Sequence, residues 1–124
     1  MNPTYWEQEI VQVKAHRKPK RFDVVVLHPP DSPEELYLKR VIGLPGEQID
    51  YQNGELFVSG EIVADEFADH TEDFVWESIS NEPIPGGYYF VLGDNRTISK
   101  DSRIFGLVSE KQILGIVQEG NKEK

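Results

Sequence analysis

The chain has 124 residues, a net charge of −9, 38% hydrophobic and 28% charged residues, which is the size and composition of one globular domain with a single core. It lacks the overall basic footprint of a nucleic-acid binder, any apolar run long enough for a membrane-spanning helix, and a basic-then-apolar leader after Met1. With no cysteine there are no disulfides, no thiolate nucleophile and no thiolate zinc site, and His16, His28 and His70 have no ligand spacing, so no metal is expected.

In chain order, Ile10 to Lys14 alternates in the manner of a short strand. Lys14, Arg17, Lys18, Lys20 and Arg21 follow around Pro19; a solvated loop between strands is preferred here to a lipid-facing patch. Asp23 to His28 contains four consecutive aliphatics and predicts a strand buried on both faces, ended by the turn cluster Pro29 to Pro33. Leu36 to Leu44 predicts a further strand, stopped by Pro45-Gly46 with type II turn chemistry. Gln48 to Tyr51, Asn53-Gly54 and Glu55 to Val58 read as a hairpin, and Ser59-Gly60 leads to a short strand over Glu61 to Ala64.

Residues 65–85 form an acidic stretch with no balancing cation, read as an exposed excursion with one strand around Phe74 to Trp76. Its carboxylates lack the spacing of a calcium loop. Tyr88 to Leu92 predicts an aromatic strand, and Ile104 to Val108 and Gln112 to Val117 two closing segments, before a polar tail over Glu119 to Lys124. Many short strands with regular turns and no helical period predict an all-β fold, a partly closed sheet forming one domain over 1–124.

Two stretches concentrate chemistry: Lys39-Arg40-Val41-Ile42-Gly43-Leu44-Pro45-Gly46, and Gly93-Asp94-Asn95-Arg96 continuing to Ser99, Asp101, Ser102 and Arg103. A lysine on an apolar strand is desolvated, which disfavours the ammonium and makes the amine a base near neutral pH. Tyr37, Leu38, Val41 and Ile42 are candidates for its low-dielectric wall, and Ser99 for its hydroxyl partner. This is the outline of a Ser-Lys hydrolase site.

Both stretches resemble the signature boxes of the type I signal peptidases, in the compact Gram-positive form. Met1-Asn2-Pro3-Thr4 matches the end of a third box, Ser-Met-x-Pro-Thr, whose serine is the family nucleophile and would stand one position before Met1. Weaker features over Arg21 to Val26 and Gly54 to Gly60 fall in the family order, and the resemblance runs from Met1 to about Val117.

The resemblance implies a signal-peptidase fold shared with self-cleaving repressors, and a serine endopeptidase that removes signal peptides after small residues at −1 and −3. It makes Lys39 the general base and Ser99 the residue that orients it, with Met1 and Pro3 lining the substrate cleft. Arg40, on the opposite strand face, is expected to pair with Asp101 and to be joined by Arg103. Asp94, Asn95, Arg96, Asp101, Ser102 and Arg103 would form a network supporting the loop, and Gly43, Pro45 and Gly46 would shape the turn after the lysine.

No cofactor is implied. The partners are signal peptides of exported pre-proteins and, through an N-terminal anchor, the extracytoplasmic face of the cell membrane, with Tyr5, Trp6 and Ile10 as a membrane-facing patch. A polypeptide of these residues alone, without the serine and its oxyanion-hole N–H, is expected to be inactive. The alternatives are a non-catalytic signal-peptidase-like assembly factor for surface proteins, against which Lys39 and Ser99 argue, and a self-cleaving repressor domain, for which a DNA-binding half is missing.

Overall fold

A computed structural model describes residues 10–12, 18–67, 70–97 and 100–117, with side chains from residue 18 onward. The order is β1 (Ile10–Gln12), β2 (Val24–Leu27), β3 (Tyr37–Gly43), β4 (Ile49–Gln52), β5 (Glu55–Val58), β6 (Glu61–Val63), β7 (Tyr88–Leu92), α1 (Ser102–Phe105), β8 (Val108–Ser109) and β9 (Ile113–Val117). The all-β expectation holds. The described strands divide between two open sheets, one of six strands in the order β1-β9-β2-β3-β7-β8 and one of three in the order β4-β5-β6. Every ladder is antiparallel.

The aliphatic run in β2 is buried throughout because both faces of the larger sheet are covered. Val25 and Leu27 pack with Val41, Tyr89, Val91, Val108, Ile113 and Ile116, while Val24 and Val26 pack with Leu38 and Val117 on the other side. Each such side chain removed from water stabilises the fold by about 1.5–3 kcal/mol.

Local turn chemistry sets the hairpins. Asn53 and Gly54 both have positive φ (54° and 82°), as do Ser59 and Gly60 (49° and 89°), the backbone that tight hairpin loops require. After β3, the Glu47 amide donates to the Leu44 carbonyl (3.1 Å) across Pro45 and a left-handed Gly46, as type II chemistry predicts.

The smaller sheet packs on the face of β3 that carries Ile42. Ile42, Ile49, Tyr51, Leu56, Phe74, Trp76, Ile84, Phe90 and Leu92 form one buried cluster spanning both sheets. Gly43 lies at that contact: a Cβ there would meet Ile49 Cγ1 at 2.7 Å and Ile84 Cδ1 at 2.8 Å.

The sequence expectation for the acidic stretch needs correction. Residues 65–85 are not simply an exposed excursion: Thr71, Phe74, Trp76 and Ile84 are buried, and Trp76 donates its indole N–H to the Glu82 carbonyl (2.8 Å). The carboxylates Glu66, Glu72, Asp73, Glu77 and Glu82 do face outward. In place of a strand, Phe74 makes a single β-bridge to Tyr51, and Trp76–Ser78 forms a 3-10 turn. The apolar core threads the acidic stretch and anchors it.

The closing segment Ile104 to Val108 joins the end of a helical turn to the start of β8. Ser102–Phe105 is a helical turn whose N-cap, Asp101, accepts a hydrogen bond from the Arg103 amide. The cap satisfies a donor that an extended backbone would have given to a neighbouring strand.

Candidate active site

Side chains of β3 alternate, so Tyr37, Lys39 and Val41 share one face and Leu38, Arg40 and Ile42 the other. Only Tyr37 and Val41 of the four expected wall residues therefore lie on the side of the lysine. The Lys39 ammonium lies 5.1 Å from the centre of the Tyr37 ring, a cation–π contact, and its side chain is half-buried. Burial holds the amine below the ordinary lysine range; Asp101 opposes this, nearby Arg103 reinforces it, and Asp94 opposes it. Desolvation prevails, so the amine gives up its proton more readily than a solvated lysine does.

The loop after β7 supplies the surrounding charges. β7 pairs with β8 only at Tyr88 and Tyr89, so the outward amides beyond that point need other acceptors. Ser102 Oγ accepts from the Val91 amide (2.9 Å), and Asp101 Oδ2 from the Gly93 amide (3.1 Å). Both side chains are fully buried. Asp101 also holds Arg103 through Nε (2.9 Å) and Nη2 (2.7 Å), and Arg103 Nη2 donates to the Arg96 carbonyl (3.0 Å).

Arg40 does not pair with Asp101. It grips Asp94 through Nε (3.0 Å) and Nη2 (2.8 Å) and donates to the Phe22 carbonyl (2.9 Å). The β3–β7 register, which sets Arg40 opposite Leu92, brings Asp94 within reach, while Asp101 is already engaged by Gly93 and Arg103. Asn95 is exposed and accepts from the Thr97 hydroxyl (3.1 Å), a contact within its own turn.

Arg96 is buried between the sheets. Its Nε donates to the Gly93 carbonyl, and its Nη1 to Asp65 Oδ2 (2.8 Å), Thr71 Oγ1 (2.9 Å) and the Tyr51 hydroxyl (3.2 Å). Tyr51 in turn donates to Asp65 (2.7 Å). Burial works to raise the Asp65 carboxyl, but the hydrogen bonds from Arg96 and Tyr51 outweigh it and hold the group below the usual carboxylate range. Burial pushes the Tyr51 phenol well up, so it stays a hydrogen-bond donor at all working pH values.

The structure thus brings together Lys39, Arg40, Asp94, Arg96, Asp101, Ser102 and Arg103. Ser99, Met1, Pro3, Tyr5 and Trp6 lie outside the described residues. Sequence reasoning missed Asp65, Thr71, Tyr51 and Phe67; an aspartate in an acidic run carries no local sign of a buried arginine partner. Among the described residues, no group of His, Asp and Glu side chains is placed to hold a metal ion, and no helix is long and apolar enough to cross a membrane.

A model of the signal peptidase family, peptidase S26, matches residues 1–119. The chain belongs to that family. It is similar to signal peptidase I V of Bacillus subtilis (strain 168), with 40% identity across 96% of this chain and 79% of that protein. It is 42% identical to signal peptidase I of Bacillus caldolyticus over 79% of this chain, and 39% identical to signal peptidase IB of Staphylococcus aureus (strain Mu50) over 77%. Those matches span 59% and 56% of the two relatives' own lengths. A crystal structure of a signal peptidase I from Enterococcus faecalis V583 superposes with a TM-score of 0.75 at 34% identity, covering 82% of this chain and 98% of that one. The fold that carries Lys39 is therefore that of a signal peptidase I.

Proposed function

We propose that this chain is the extracytoplasmic catalytic domain of a type I signal peptidase, a serine endopeptidase acting on signal peptides of exported pre-proteins. The observation that carries the reading is the Lys39 amine, depressed by burial on β3 beside the charged loop of the second motif. In this reading the nucleophilic serine is the one preceding the Met-x-Pro-Thr pattern at Met1. Its hydroxyl proton passes to the neutral Lys39 amine as the oxygen attacks the scissile carbonyl, and water then hydrolyses the acyl-enzyme.

Ser99 would orient the lysine, and Met1 and Pro3 would line the cleft. The peptide would lie extended against a β edge, with small residues read at −1 and −3. Anchoring on the N-terminal side would hold the domain at the membrane.

The test is cleavage of an Ala-x-Ala signal peptide by the full-length protein beside its Lys39→Ala variant. Cleavage that disappears in the variant supports the Ser-Lys reading. Absence of cleavage by the unmodified protein, under conditions where an established signal peptidase works, shifts the assignment to a non-catalytic assembly factor.

A further inference from the structure

Where the chain leaves β6, Asp65 touches the arginine of one signature motif and Phe67 that of the other. Asp65 Oδ2 receives Arg96 Nη1, and its other oxygen receives the Phe67 amide (3.2 Å), which curls the backbone over 65–67 into a tight turn. That turn lays the Phe67 ring over the Arg40 guanidinium, 3.8 Å from Cζ, with the Phe22 ring 5.1 Å away on the same patch. Arg40 holds Asp94, and the Arg96 carbonyl holds Arg103. Asp94, Asp101 and Arg103 are the charged groups that act on Lys39, with the Tyr37 ring against its ammonium.

We propose that residues 65–67 are a positioning strap: Asp65, through Arg96, and Phe67, through Arg40, fix the charges that surround Lys39. The strap acts from the face of β3 opposite the lysine, so neither side chain meets substrate. Its effect runs through two carboxylate–guanidinium contacts. With Phe67 in place, Arg40 is stacked and keeps its two-point grip on Asp94, so the Asp94 charge is spent on Arg40. Without the ring, that grip loosens and Asp94 acts more strongly on Lys39, favouring the ammonium. Loss of Asp65 leaves Arg96 hydrogen-bonded to neutral acceptors alone, on Gly93, Thr71 and Tyr51, and so loosens the loop whose Arg96 carbonyl orients Arg103. Weakening the repulsion from Arg103 has the same sign. Arg96 Nη2 is buried without a hydrogen-bond partner among the described residues, and its ion-pair contact with Asp94 is long, at 3.9 Å.

The inference rests on the reading of Lys39 as a base, yet its test does not need proteolysis. Lys39 is titrated in the full-length protein by competitive acetylation with acetic anhydride across pH, followed by mass spectrometry of the Lys39 peptide. Phe67→Leu and Asp65→Asn are each expected to move its midpoint up by about half a unit or more, while Phe67→Tyr, which keeps a ring over the guanidinium, restores the original value. Where cleavage is measurable, the acid limb of kcat/KM moves with the titration and KM is unchanged. An unshifted Lys39 midpoint in folded Phe67→Leu overturns the strap. Should Asp65→Asn fail to fold, the half-exposed Phe67 decides alone. Cleavage insensitive to Lys39→Ala would instead overturn the catalytic reading, with the titration still deciding the strap.

Discussion

Arg40 and Asp94, 54 positions apart, meet through two parallel nitrogen–oxygen contacts that join the lysine-bearing strand to the second motif. The Arg40 side chain is almost fully buried and that of Asp94 partly so, which makes the pair a geometric device rather than a surface ion pair. Arg40→Lys keeps the charge but loses the fork and the stacking on Phe67. It is expected to cost about 1–3 kcal/mol in urea unfolding, and Arg40→Ala about 3–5 kcal/mol, because the latter leaves Asp94 with only the long contact to Arg96 at 3.9 Å. A shift within experimental error for Arg40→Lys would show that any cation serves.

Lys39 is retained against the interest of stability. Its amine titrates below the ordinary lysine value because burial disfavours the charge. For a base lowered on folding, the unfolded chain binds more protons between the two values. The destabilisation is therefore full below the folded value and is relieved as pH rises toward 10.5. Lys39→Met, similar in length and uncharged, is expected to raise Tm by a few degrees at pH 6 and by progressively less toward pH 10.5, while abolishing signal-peptide cleavage in the full-length protein. Thermal unfolding at those two pH values checks the sign.

Asp65 works in the opposite direction. Its carboxyl is held below the usual range by Arg96 and Tyr51 despite burial. A lowered acid contributes stability that is complete above its unfolded value, near 3.9, and is lost as pH falls through the folded value. Asp65→Asn should therefore flatten the stability profile below about pH 4. An acid-denaturation curve that keeps the same slope in the variant would remove Asp65 from the account.

Ser102 receives the Val91 amide in a buried position. Ser102→Ala leaves that amide without its acceptor and is expected to cost about 1–3 kcal/mol. Hydrogen exchange should show the Val91 amide losing protection, whereas the Tyr89 amide, on the β8-paired part of the strand, keeps it. Equal protection at Val91 in both proteins would contradict the assignment.

Gly43 is held by packing rather than by backbone conformation. Gly43→Ala drives a methyl to within 2.7–3.0 Å of Ile49, Ile84 and Phe90 side-chain atoms, at the junction of the two sheets. About 1–3 kcal/mol of destabilisation is expected from this overpacking, measurable as a lower urea midpoint with an unchanged slope.

The features legible in the sequence were those governed by neighbours along the chain. Asn53-Gly54 and Ser59-Gly60 specify hairpin turns because positive φ is a local preference, and both occur. Four aliphatics in β2 imply cover on both faces, and alternation in β3 separates Lys39 from Arg40. The two motifs carried the family resemblance, since the residue types for a base and its supporting charges are read directly from the chain.

Partner choice was not legible. Asp94 and Asp101 are equivalent acids to a reader of the second motif. Only the register of β3 on β7 hands Asp94 to Arg40, and only the helical turn α1 returns Asp101 to Gly93 and Arg103. Asp65 was indistinguishable from its solvated neighbours until the packed sheets brought Arg96 to it. Strand order and sheet packing join residues far apart in the chain, and neither composition nor periodicity encodes which distant charge fills a buried site. Residue types and local backbone preferences therefore determined the chemistry available to this protein, and tertiary packing decided which charges surround Lys39.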